Sequence, residues 1–204
     1  MQRLHKPTWL ALAFPLFILS AGACRDQAMA GRPTPATTQG VKPVTTQKAT
    51  FAAGCFWGVE LEFAQMPGVI KTTVGYTGGK TKSPTYKDVC NHDTGHAEAV
   101  LIEFDPAKIS YEKLVEAFFD LHDPTQVNRQ GPDVGDQYRT AIFFHSPEQK
   151  ATAEAVKARL TTAKRFSRPI ATHIVPAVEF HAAEDYHQQY FSKRGITRSC
   201  HAKP

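Results

Sequence analysis

Two hundred and four residues, 42% hydrophobic, 21% charged and 10% aromatic, describe one globular domain with tails, neither disordered nor fibrous. The formal charge of +5 arises in the first fifty residues, where Arg3, Lys6, Arg25, Arg32, Lys42 and Lys48 face Asp26 alone; positions 51–204 carry 18 basic and 18 acidic side chains. A neutral domain behind a basic leader sets aside nucleic acid as the partner that the basic pI would otherwise suggest.

Met1 to Lys6 is a short basic start, and Trp9 to Leu19 is an apolar run. That run falls short of the roughly 20 residues a spanning helix needs and suits the central region of a secretory signal. The competing reading, a buried helix of the domain, lacks an alternating polar face. Ser20-Ala21-Gly22-Ala23 places small residues before Cys24 and is similar to a bacterial lipoprotein processing box, with Ala21 where leucine is usual. Ala28-Met29-Ala30 is a second small-x-small site, which would release a soluble protein near Gly31. Residues 1–23 are thus expected to be a signal peptide, with Cys24 a candidate for lipidation, and residues 24–48 a flexible linker rich in Pro, Thr and Gln. The expected location is the periplasm, or an envelope membrane of a bacterium reached only through a lipid anchor.

The domain, 49–204, begins with a strand at Ala49–Ala53 that ends on Gly54. Val59, Leu61, Phe63 and Met66 give Cys55–Met66 helical spacing, and Pro67-Gly68 stops it. A β-prone stretch, Val69–Tyr76, is followed by a loop with Gly78, Gly79 and Pro84. Residues 97–104 read as a strand with Val100, Ile102 and Phe104 on one face. Ser110 caps a helix to about His122. A loop with Pro124, Gly131, Pro132 and Gly135 leads to a strand at Tyr138–Phe144. Ser146-Pro147 then opens a helix to about Lys164. A strand near His173–Val178 and a helix near Ala183–Lys193 complete a single α/β domain, a sheet covered by helices.

Apart from Cys24, the cysteines are Cys55, Cys90 and Cys200, an odd number that argues against a simple disulfide framework. Cys90-x-His92 with His96 nearby is ligand-like, but no paired C-x-x-C accompanies it, and no metal is expected. Cys55 stands where a strand meets a helix, so the dipole and unpaired N–H groups of the helix start favour its thiolate. Gly54 and Gly58 allow close approach beside it, and Phe56 and Trp57 are its neighbours. A small buried core cysteine is the competing reading. His181 and His187, six apart, do not stack on one helical face and read as structural. Gly79-Lys80-Thr81 lacks the glycine a phosphate loop requires, since position 74 is Val74.

Gly54-Cys55-Phe56-Trp57-Gly58 resembles the active-site signature of A-type peptide methionine sulfoxide reductases. Gly75-Tyr76-Thr77-Gly78-Gly79, Pro84-Thr85-Tyr86, Gly95 to Val100 (GHAEAV), Gln130 to Arg139 (QGPDVGDQYR) and Ala183 to Gln188 (AEDYHQ) are similar to the same family, in its order and spacing. The resemblance covers about residues 49–190. It implies an α+β two-layer sandwich, a ferredoxin-like mixed sheet covered by helices. It implies reduction of the S epimer of methionine sulfoxide, free and in proteins, with the thiolate of Cys55 attacking the sulfoxide sulfur and becoming a sulfenic acid. It assigns proton delivery and hydrogen bonding to Glu98, Tyr86 and Tyr138, the apolar wall for the methyl group to Phe56 and Trp57, and a hold on the substrate backbone to Asp133. A carboxyl on a strand inside an apolar pocket should have a raised pKa, which suits Glu98 to the acid role.

Return to the reduced state needs a second thiol. Some relatives carry two cysteines in the C-terminal tail, whereas only Cys200 is present here, and Arg194 to Ser199 departs from the common tail pattern. The expectation is a Cys55–Cys200 disulfide opened by thioredoxin or a similar external dithiol, in a monomer with no bound cofactor and no metal. Cys90 reads as the more buried thiol. A generic thiol enzyme, indifferent to Glu98, and a non-enzymatic surface lipoprotein are the readings from other classes.

Overall fold

The computed structural model describes residues 45–198; the signal segment, Cys24, most of the linker and Cys200 lie outside the described residues. Strand β1 (Gln47–Ala53) leads into helix α1 (Phe56–Ala64) and strand β2 (Val69–Thr77). After α2 (Tyr86–Cys90) come β3 (Ala97–Phe104) and α3 (Tyr111–Leu121). A two-stranded hairpin, β4 (Arg129–Gln130) and β5 (Asp133–Val134), precedes β6 (Thr140–Phe144). Helix α4 (Pro147–Thr162), β7 (His173–Pro176) and β8 (Phe180–Ala182) follow.

The six-stranded sheet has the order β7-β6-β1-β3-β2-β8. Its centre, β6-β1-β3-β2, is antiparallel throughout, with α1 connecting β1 to β2 and α3 connecting β3 to β6, the ferredoxin-like βαββαβ arrangement. β7 joins parallel to β6 after α4, which makes the sheet mixed. The expected α+β sandwich with a ferredoxin-like mixed sheet is therefore found.

Strand alternation decides what lies beneath the helices. Phe51 of β1, Val100, Ile102 and Phe104 of β3 and Ile142 of β6 meet Phe63 of α1, Phe118 of α3 and Val156 of α4 in the main core. Phe51 is its hub, with ring centroids 5.3 Å from Phe63 and 5.2 Å from Phe118. The opposite face is lined by small residues, Ala52, Ala97, Ala99 and Ala141, with Phe143, against Val175 and Phe180. Glu98 has the parity of Val100 and Ile102, so it points into the helix-covered side.

Two elements differ from expectation. Tyr138 lies in a single 3-10 turn, Asp136–Tyr138, ahead of β6, because the turn closes on the Gly135 carbonyl. Residues 183–193 form successive turns instead of a helix, with only Ser192–Arg194 in a 3-10 turn. Gln189 there has φ +55°, which interrupts any helix, and the Gln188 amide is engaged by the Val74 backbone of β2. The Gln189 N–H goes to Glu60 of α1 instead of back along the segment.

Candidate active site

Cys55 is the N-cap of α1, delivered by Gly54 at φ +88°, a left-handed turn that a side chain would strain. Phe56, the first helical residue, donates its N–H to Glu98 Oε2 at 3.1 Å. One backbone bond thus ties the carboxyl of β3 to the residue immediately after the thiol. Glu98 is 2% exposed. Burial, aided by the nearby charge of Asp133 and opposed by the Phe56 N–H, pushes its pKa up to about 8. The carboxyl is therefore mostly protonated at neutral pH. With Oε2 occupied by the N–H, its proton resides on Oε1.

Two tyrosines lie within the field of the same carboxyl. Tyr138 is raised by burial and then by the fields of Glu98, Asp133, Cys90 and Cys55. Tyr86, the first residue of α2, is raised by burial, by a hydrogen bond to the Cys90 sulfur one turn on, and by Glu98. Both hydroxyls stay protonated and can donate. The loop bearing Tyr138 is tied to the start of β3 by Arg139, whose guanidinium donates to the carbonyls of Asp136 (2.9 Å) and Gly95 (3.0 Å). Cys55, Glu98, Tyr86, Tyr138 and Asp133 are thus brought together.

Aromatic rings close one side. Phe56 is 1% exposed and lies 5.9 Å from Tyr76 and 5.2 Å from His187, centroid to centroid. Trp57 Nε1 donates to His187 Nδ1 at 3.0 Å, and Tyr190 stacks on the indole at 3.8 Å with 7° between planes. His187 also lies 4.5 Å from the Tyr86 ring. The Trp57 bond fixes His187 as the tautomer protonated on Nε2, and burial lowers its pKa, so it is a neutral ring. His187, read from its spacing as structural, lies among Phe56, Trp57 and Tyr86.

Sequence reasoning passed over two further groups. Glu184 accepts from Tyr86 N–H at 2.9 Å and from the buried Tyr76 hydroxyl at 3.0 Å, and so fixes the start of α2. Glu60 of α1 is 2% exposed and bonded to Gln189. The AEDYHQ motif was the available signal for Glu184; nothing local marks Glu60. Cys90 is half-buried, and burial pushes its thiol up. Neither Cys55 nor Cys90 is in a disulfide, and no cluster of metal-ligating side chains occurs among the described residues.

A family model described as peptide methionine sulfoxide reductase matches residues 47–204. Peptide methionine sulfoxide reductase MsrA of Acidobacterium capsulatum is 60% identical over 154 residues, covering 76% of this chain and 98% of that protein. Reduced Mxr1 of Saccharomyces cerevisiae superposes with a TM-score of 0.72 at 34% identity, over 78% of this chain and 91% of its own. Mxr1 has also been solved in complex with Trx2; that chain gives a TM-score of 0.52 at 25% identity, over 76% of this chain and 91% of its own. The fold and the match along the whole described domain make this an oxidoreductase. The chain belongs to the peptide methionine sulfoxide reductases of the A type, and the reaction is that of a peptide-methionine (S)-S-oxide reductase.

Proposed function

We propose that Cys55 is the nucleophile and Glu98 the proton donor of this reduction. The observation that carries the reading is the 3.1 Å bond from Phe56 N–H to Glu98, which sets a protonated carboxyl one residue from the thiol. The Cys55 thiolate attacks the sulfoxide sulfur while Glu98 Oε1–H, with the hydroxyls of Tyr86 and Tyr138, hydrogen-bonds and protonates the sulfoxide oxygen. The oxygen passes from the substrate sulfur to Cys55, breaking the S–O bond and the transient bond between the two sulfurs. Methionine leaves reduced, and Cys55, oxidised by two electrons, is left as a sulfenic acid. Phe56 and Trp57 wall the methyl group, and Asp133 holds the substrate backbone.

Cys200 then displaces hydroxide from the sulfenic acid as water, forming a Cys55–Cys200 disulfide. A thioredoxin-like dithiol reduces that disulfide and is itself oxidised. The Mxr1–Trx2 complex, formed by a protein of the same fold, supports this choice of reductant. The signal-like leader supports repair of oxidised proteins in the cell envelope as the setting.

The test is a single-turnover experiment on the Cys200→Ser protein. One equivalent of methionine should be released from an S-sulfoxide peptide, a sulfenic acid should be trapped on Cys55 by dimedone, and thioredoxin should drive no further turnover. Continued turnover with thioredoxin would remove Cys200 from the cycle; failure of Cys55→Ser to abolish the first equivalent would remove Cys55. For the setting, the intact mass of membrane-extracted protein separates an acylated Cys24 from an unmodified N-terminus near Gly31.

A further inference from the structure

Glu60 lies one helical turn after Trp57, on the same face of α1. Its carboxyl is buried, and every hydrogen-bond partner it has is a donor. Gln189 N–H reaches Oε2 at 2.8 Å, Gln189 Nε2 reaches Oε1 at 2.7 Å, and the Thr72 hydroxyl reaches Oε1 at 3.2 Å. Gln189 Nε2 also donates to the Thr72 oxygen at 2.8 Å, which leaves the Thr72 proton for Glu60. Among the described residues the cation acting on it is Lys193, which does so at a distance. Burial raises its pKa and the donated hydrogen bonds lower it, so the carboxyl depends on polar partners where a leucine would pack more cheaply. The three donors hold Gln189 in its left-handed conformation, φ +55°.

That conformation decides what reaches Trp57. Residues 187–190 are fastened one by one: His187 to the indole N–H, Gln188 to the Val74 backbone, Gln189 to Glu60, and Tyr190 by stacking on the indole face. Arg194 lies 3.6 Å from the Tyr190 ring, on the face away from Trp57 since both cannot share one. The indole is therefore held at its edge and on one face by a segment whose turn is set by Glu60.

We propose that Glu60 is a positioning residue for the substrate-facing indole. It acts through Gln189 and Tyr190, and it governs how well the sulfoxide methyl group is bound without taking part in the chemistry. The inference rests on the reading of Trp57 as a wall of the substrate pocket.

The experiment compares Glu60→Gln, Tyr190→Ala, their double mutant and Trp57→Ala in the full chain. KM and kcat for an S-sulfoxide peptide are measured, and thermal unfolding establishes that each variant is folded. Glu60→Gln should raise KM about 10-fold and leave the single-turnover rate at saturating substrate within about twofold. The double mutant should be no worse than the worse single mutant, because both act on one indole. An unchanged KM in Glu60→Gln, a loss confined to the single-turnover rate, or additive losses would overturn the proposal. If Glu60→Gln does not fold, Gln189→Gly decides, since it keeps the left-handed backbone and removes the Nε2 donor; raised KM upholds the proposal and wild-type KM overturns it. Trp57→Ala with normal KM would sink both this inference and the pocket reading, whereas raised KM there with a neutral Glu60→Gln sinks the inference alone.

Discussion

Replacing Glu98 by glutamine keeps an acceptor for Phe56 N–H and removes the only acidic proton at the site. In the wild type the carboxyl, held at about pH 8 by burial and by Asp133, is about nine-tenths protonated at pH 7. Reduction of the sulfoxide should therefore persist at neutral pH and fall as pH rises through about 8, when the proton donor is lost. In Glu98→Gln that falling limb should vanish, and kcat/KM at pH 7 should drop about 10²- to 10³-fold, the scale of a lost general acid. Stability gives an independent reading. A carboxyl whose folded pKa lies above its ordinary 4.5 binds more protons folded than unfolded between 4.5 and 8, so it lowers stability as pH rises across that window. The full cost above pH 8 is about 5 kcal/mol. Glu98→Gln has no such penalty, so its advantage over wild type in unfolding temperature should grow between pH 5 and pH 9, on the order of 10 °C. The assays are pH–rate profiles with an S-sulfoxide peptide and calorimetry at matched pH. A mutant that keeps the falling limb, or whose stability tracks wild type across pH, would refute the assignment of that carboxyl as a buried neutral acid.

Asp133→Asn removes a charge that raises Glu98, so the falling limb of the wild-type profile should move to lower pH, by less than about one unit for a charge acting without direct contact; an unmoved limb would uncouple the two carboxyls. Cys90→Ser should retain thioredoxin-driven turnover within about twofold, because burial keeps that thiol protonated and a serine hydroxyl can still accept from Tyr86. Loss of turnover, with the first equivalent of methionine still released, would transfer the resolving role to Cys90.

Local signals carried most of the fold. The strand at 97–104 was legible to the residue because Val100, Ile102 and Phe104 recur at every second position, and parity alone puts Glu98 beneath the helices. Ser110 and Ser146-Pro147 were legible as helix starts, and the two serines accept from the N–H groups of Lys113 and Gln149. Helix α2 went unread although Thr85 and Asp88 carry a reciprocal capping box, since four polar or small residues around Pro84 look like loop. The turns at 183–193 were not legible. Their helical spacing is real, but Glu60 takes the Gln189 N–H, and Val74 and Trp57 hold the side chains of Gln188 and His187; these lie more than a hundred residues away in sequence. Motif resemblance placed Tyr86, Asp133 and Tyr138; their spacing alone would have left them as a core residue, a turn and a strand end.

Glu60 and Glu98 are equally exposed, and burial raises the pKa of both, but they are placed for different tasks by what surrounds them. Glu98 receives one backbone N–H and faces the negative charge of Asp133, so burial wins and the proton stays. Glu60 receives three donors and the field of Lys193, which offset part of the burial that raises its pKa, so its oxygens serve as acceptors for the turn at Gln189. Environment rather than residue type divides the labour between two buried carboxyls. The neutral one is suited to give a proton to a sulfoxide oxygen. Glu60 is suited to gather N–H groups and hold a turn. Both are anchored on α1, which starts at Cys55, so the helix that presents the thiol also fixes the acid at its first residue and the indole support one turn later.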